Sequence, residues 1–189
     1  MQKDPFLQNQ KDLEDNPLKF EGFNSRLIAV ILDGLIVGIP IAGATLYNLL
    51  VLKSFWCFVL ITTVSIAYKP LMEGFYGATL GKMSMGMRVV DYDGHKINAP
   101  QAILRSVFTI AQALVTLPVY FFIFQDKSLM EMTDYFKMSE ELGTSYPMLG
   151  LISGISFFIM FVEMITLLTD PPYWRSLHDR IAKTYVVES

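Results

Sequence analysis

The chain has 189 residues and a mass of 21.5 kDa; 52% are hydrophobic types, 17% are charged, and the mean hydropathy is +0.40. Soluble domains carry about a quarter charged residues, so this composition excludes an ordinary water-soluble globule, and the apolar content excludes disorder over most of the chain. A net charge of −3 and a pI near 5.3 leave no electrostatic footprint for nucleic acid. What remains is a membrane protein. The single cysteine, Cys57, lies in an apolar run and reads as a packing residue, which excludes an internal disulfide and a cysteine-based metal cluster.

Residues 1–22 form a polar tail of mixed charge that includes Lys3, Asp4, Lys11, Asp12, Glu14, Asp15, Lys19 and Glu21. It has neither a basic leader nor a small-residue cleavage site, so no removable signal peptide is expected. Gln2 stands where myristoylation needs glycine and no C-terminal cysteine offers prenylation, so attachment is expected from spanning segments. A span needs about 20 mostly apolar residues to cross roughly 30 Å of hydrocarbon. Four segments qualify: about 27–52 with one charge, Asp33; 55–76, interrupted by Lys69 and Pro70; 106–124, uncharged; and 146–169 with one charge, Glu163. Pro70 is expected to kink or end the second helix. The predicted fold is an all-α polytopic membrane protein with four transmembrane helices and a small cytoplasmic β-sheet.

That sheet is expected from the 77–100 loop and the C-terminal tail. Met87 to Val90 is β-prone, Asp93-Gly94 signals a two-residue hairpin turn, Lys96-Ile97 begins a return strand, and Thr184 to Val187 is equally β-prone. In the acidic connection 125–145, Leu129, Met132 and Phe136 predict one short amphipathic helix on the membrane surface. The N-tail, the 77–100 loop with its exit and the C-tail share one side and hold eleven Lys and Arg, against three (Lys53, Lys127, Lys137) opposite. The positive-inside rule therefore places both termini in the cytoplasm. Trp56 at one face and Tyr173-Trp174 at the other suit interfacial anchors.

An ionisable side chain inside a span is costly and is a site hypothesis by default. Asp33 follows Arg26 by two helical turns, about 10 Å along the axis, so it is expected to look across the bundle toward Arg105 or Lys69. Glu163 lies deep in the fourth span, and Glu73 is one turn after Lys69, which predicts a helical pair. Two readings stay open: buried pairs that fix helix register, or Asp33 and Glu163 as carboxylates that exchange a proton or a cation. Other signals are weak. Gly81-Lys82 lacks the rest of a phosphate loop, because Tyr76 and Met83 occupy the required places, so Gly81 and Gly86 are read as sharp turns. His178-Asp179 has no nucleophile beside it and reads as a structural contact, and two distant histidines are too few for zinc. Gly150 and Gly154 suggest close helix approach. There is no internal repeat of the kind many secondary transporters carry.

Phe23 to Asp33 (FNSRLIAVILD), the loop Thr79 to Gly94 (TLGKMSMGMRVVDYDG) followed by Arg105-Ser106, and the ending Leu177 to Val187 (LHDRIAKTYVV) together resemble the RDD family, named for one arginine and two aspartates. The likeness runs over residues 23 to 187, with Leu80 where proline is common and Lys183 where glycine is common. It implies Arg26 and Asp33 as the first two named residues, Asp179 as the second aspartate, and an integral membrane protein for which ligand transport has been proposed. The expectation is thus a transport component for a small solute or a cation exchanged for protons, in a bacterial inner (plasma) membrane. The alternative is a non-catalytic subunit that anchors or regulates a partner. The candidate site residues are Arg26, Asp33, Asp179, Glu163 and Arg105. No enzymatic activity, cofactor or metal is expected; the expected partners are the lipid bilayer, the transported solute or cation, and a second copy or another membrane protein. Four spans make a thin pathway, so transport is expected to require a homo-oligomer.

Overall fold

The computed structural model describes residues 18–189, and the earlier part of the polar tail lies outside the described residues. Helix α1 (Phe23–Leu52) runs unbroken for 30 residues, about 45 Å. Two of its stretches, Gly34–Gly38 and Asn48–Leu52, are wider π-helical turns. The first immediately precedes Pro40 in the chain's course, where a missing N–H would leave a carbonyl unpaired; a widened turn absorbs that defect. Asn48 then ends α1 by a reciprocal clasp. Its amide donates to the Ser54 carbonyl at 3.0 Å and accepts from the Ser54 N–H at 3.2 Å, which closes the turn into α2 (Phe55–Tyr76).

Helix α2 continues through Pro70 to Tyr76, so of the kink or end expected there, the end does not occur. The short helix α3 (Leu80–Ser84) and strand β1 (Met87–Asp91) follow, then α4 (Ala99–Leu104), which opens on a capping box from Asn98 and Gln101. Helix α5 (Val107–Ile123) is uncharged and mostly apolar but only 17 residues long, about 26 Å. Three helices, α1, α2 and α8 (Pro147–Leu168), are long and apolar enough to cross a membrane; α5 falls just short, so the four-span count holds only approximately. Their outer faces carry exposed Val30, Ile39, Leu60, Phe122, Leu151 and Phe158, as lipid-facing helices should.

The connection from α5 to α8 corrects one expectation. It holds two helices, α6 (Lys127–Glu131) and α7 (Tyr135–Ser145), each started by an aspartate that caps it: Asp126 accepts from Ser128 N–H and Asp134 from the N–H groups of Phe136 and Lys137. The second cap interrupts the predicted stripe. Leu129 is buried against Ile123, Leu49 and Met138, whereas Phe136 lies beyond the break and is 81% exposed.

At the other end, β1 pairs antiparallel with β2 (Thr184–Glu188), Val89 opposite Val186. The return strand at Lys96 is reduced to a single bridge with Val90; the third lane comes instead from residues 19–21, bonded to β2 through Glu21 N–H and the Lys19 carbonyl. Val89, Val186, Met87 and Ile97 pack against Ala29 of α1 and so dock the sheet on the helices. The last short helix, α9 (Leu177–Ala182), ends at Lys183 with φ +54°, a left-handed position that glycine occupies without strain.

Candidate functional site

Asp33 sits one helical turn from the close approach of α1 and α3. A methyl group on Gly81 would lie 2.1 Å from the Ala29 carbonyl oxygen and 2.9 Å from the Asp33 carboxyl carbon, so the contact exists only because residue 81 has no side chain. Gly81 therefore serves packing; the sharp turn expected at both glycines is made at Gly86, where φ is +65°. The Asp33 carboxylate accepts three hydrogen bonds: from Gly81 N–H at 2.8 Å, Thr79 Oγ1 at 2.6 Å and Tyr68 Oη at 2.8 Å. The Tyr68 oxygen in turn accepts from Leu80 N–H at 2.9 Å, so one carboxylate and one phenol serve the orphan donors at the start of α3. No Lys or Arg pairs with Asp33 among the described residues, and the expected partners Arg105 and Lys69 face elsewhere. Leu80 occupies the first position of α3, and its N–H is the donor to Tyr68.

Asp179 is built into the first turn of α9, where it accepts from the backbone N–H of Ser176 at 3.0 Å and the Ser176 hydroxyl at 2.9 Å. It is wholly buried and joins two arginines. Arg26 Nη1 donates to Oδ2 at 2.6 Å, and Arg105 Nη1 donates to Oδ1. Arg105 continues the chain of charges, with Nε donating to Glu73 Oε2 at 2.7 Å and a further bond to Thr184 Oγ1 on β2. Glu73 also holds the Lys82 ammonium. The result is one line, Arg26–Asp179–Arg105–Glu73–Lys82, that ties α1, α9, α4's end, α2 and α3 together beneath the sheet.

The network sets the protonation states. Burial alone would push Asp179 up, but the charges of Arg105 and Arg26 outweigh it and hold the carboxyl well below the usual carboxylate range. Burial opposes the Arg105 charge as well, and Glu73 and Asp179 together keep it firmly protonated. Lys82 is pushed down to about 8, because burial outweighs the attraction of Glu73. Among the described residues, Arg26 Nη2 is the buried side-chain nitrogen left without a partner.

The chain carries three ordered motifs, one ionic line and a sheet-docked C-tail, and the RDD family model matches residues 20–183. The chain belongs to the RDD family. No curated protein and no solved structure matches it. Within this RDD chain the first aspartate and the second serve different contacts, since Asp33 braces α3 while Asp179 bridges the arginines.

Glu163 belongs to a third place. Its Oε1 meets His178 Nδ1 at 2.6 Å, and it lines a cavity of about 330 Å³ between α5 and α8. Lys69, Thr109, Gln112 and Ser156 supply the other polar groups, and Val115, Ile155 and Ile159 the apolar wall. Lys69 is directed here and away from Glu73, donating to the Arg105 carbonyl at 3.1 Å. The expected Lys69–Glu73 helical pair is thus replaced by Glu73 with Arg105 and Lys82. His178 is pushed down by burial and by the nearby Lys69 charge, against the pull of Asp179 and Glu163.

Glu73 and Lys82 in the ionic line, and Lys69 and His178 beside Glu163, join the five candidate residues. A carboxylate within a span was the available signal for Glu73. The trio Asp91, Asp93 and His95, half-buried at Asp91 and exposed at the other two, is accounted for by the turn itself, in which Asp91 Oδ1 accepts from the N–H groups of Asp93 and His95.

Proposed function

We propose that this RDD protein is a transport component that takes a small solute or a cation into the α5–α8 cavity and exchanges it for protons. The observation that supports the reading is the cavity itself. It lies among apolar helices and holds both a lysine and a carboxylate, and His178 connects that carboxylate to the sheet end of the bundle. Ligand sites are concave and mostly apolar with a few placed polar groups, and this cavity has that character. Proton exchange falls to Glu163: it is partly accessible, whereas Asp33 has three donors on it and lies outside the lining. A neutral His178 can pass a proton between Glu163 and the aqueous side. The setting we propose is a bacterial inner membrane with both termini cytoplasmic, and a homo-oligomer in which neighbouring copies complete the pathway.

The test is flux in proteoliposomes loaded with a pH-sensitive dye and pulsed with Na⁺, K⁺ or Li⁺. We expect a cation-driven pH change that is lost in Glu163→Gln and retained in Asp33→Asn, once both variants are shown to be folded and inserted. An absence of flux in every arm, including the wild type, would move the assignment to a membrane subunit that anchors or regulates a partner protein.

A further inference from the structure

Two opposite charges share the cavity with bonding capacity left over. The Lys69 ammonium has three donors and gives one, to the Arg105 carbonyl. Glu163 has two oxygens, and Oε1 meets His178 while Oε2 has no partner among the described residues. No ion pair joins Lys69 to Glu163, so neither cancels the other by contact. Arg105 also borders the cavity, but its guanidinium is already matched by Glu73 and Asp179.

The charges are also arranged by depth. Lys69 lies about 10 Å from the sheet end of α2 and Glu163 about 8 Å from the sheet end of α8, counted along each helix. Counted the same way, Gln112 lies about 8 Å along α5, level with Glu163, Ser156 lies about 18 Å along α8, and Val115 and Ile155 line the part nearest the middle of the helices. The Gln112 side chain makes no hydrogen bond among the described residues, although it lies within an apolar 17-residue helix. Gln112 is exposed on this wall, so its amide is open to a polar group in the cavity.

We infer that the cavity binds a small zwitterion with an apolar side group: an anionic head on Lys69, an ammonium on Glu163, and the side group against Val115 and Ile155. A branched-chain α-amino acid has this chemistry. An ethanolamine phospholipid head carries the same two charges and is the competing source that the experiment separates from the free solute. The inference names a substrate class for the cavity of the proposed transport reading and rests on that reading only for direction of movement, since binding is measured without flux.

The experiment is thermal stabilisation of the purified full chain in nanodiscs of phosphatidylcholine, titrated with L-leucine, 4-methylpentanoate, 3-methylbutylamine or glycine. We expect a saturable rise in Tm with leucine and a roughly tenfold or greater loss of affinity with each analogue, because each removes one of the three interactions. Lys69→Met and Glu163→Gln should each weaken leucine to the same degree, and Gln112→Leu, remote from the ionic line, should weaken it without lowering the ligand-free Tm. Equal stabilisation by leucine and 4-methylpentanoate would overturn the zwitterion, as would no leucine response from a folded wild type. Leucine stabilisation that vanishes in phosphatidylethanolamine nanodiscs would give the cavity to the lipid head and overturn the free-solute form. If leucine fails while the cation-driven pH change persists, the substrate class falls and the transport reading stands. If leucine binds and no flux is seen, the reverse holds.

Discussion

Glu73 and Arg105 meet at 2.7 Å through Oε2 and Nε, and both side chains are fully shielded from solvent. Neither belongs to the arginine and two aspartates that give the family its name, yet their contact connects those residues to the loop lysine. Arg105 reaches Asp179 on one side, and Glu73 reaches Lys82 on the other. A buried pair of this kind is dangerous to break, since the surviving charge keeps its desolvation penalty and loses its compensation.

Glu73→Gln keeps the shape and removes the charge, which leaves Arg105 and Lys82 facing a neutral amide. We expect a loss of about 3–5 kcal/mol, seen as a clear drop in Tm and in the yield of folded protein from detergent. Adding Lys82→Met should recover part of the loss, because it removes the cation whose ion-pair partner is Glu73, whereas Arg105 keeps Asp179. A double variant no more stable than Glu73→Gln would show that Lys82 is not coupled to the pair.

Gly81→Ala tests a steric statement. The added methyl would lie 2.1 Å from a backbone carbonyl of α1, which cannot swing aside as a flexible side chain can. Helices α1 and α3 must separate, and the hydrogen bonds from Gly81 and Thr79 to Asp33 stretch with them. We expect Gly81→Ala to lower Tm far more than Gly86→Ala, whose cost is the roughly 1 kcal/mol of a left-handed residue with open space around it. Equal effects would remove the α1–α3 contact from the account.

The contrast between those glycines shows what could be read from the chain and what could not. Hydropathy placed the long helices within a few residues, because lipid imposes an apolar run of fixed length on any spanning helix. β-propensity located both strands, since Met87 to Val90 and Thr184 to Val187 are runs that fit a pleated surface. Pairing was harder. Whether Asp33 is met by a distant arginine or by Thr79 and Gly81 depends on where a five-residue helix docks, and no local pattern encodes that. The same holds for Glu73, whose nearest charge in sequence is Lys69 but whose partners come from two other elements. At the far end, the stripe through Phe136 failed because Asp134 starts a new helix there, a capping signal that outweighs periodicity.

Asp179 makes the stability depend on acidity. Its carboxyl is held below 3.8 in the folded chain, so in acid the unfolded chain binds the proton more readily. Stability from this group is therefore complete above about pH 4 and is lost as pH falls through the folded value. We expect a Tm that declines steeply below about pH 4. Asp179→Asn, already less stable at pH 7, should decline less over that range. Parallel curves for the two proteins would assign the acid sensitivity to other carboxylates.

Orientation yields to labelling, because the two ends of the bundle differ in charge. The sheet end carries Arg88, Lys96, Arg180 and Lys183, whereas Lys53 at the far end is drawn into the fold by the carbonyls of Met130 and Met132. The cations gathered at the sheet end are the bias that the positive-inside rule assigns to the cytoplasm. In a Cys57→Ala background, we expect Lys137→Cys, exposed on α7, to react with a membrane-impermeant maleimide added to intact cells. Arg88→Cys, exposed on β1, should react only after permeabilisation. Labelling in the opposite order would invert the protein in the membrane. It would also place His178, and the proton exchange proposed for Glu163, on the outer side.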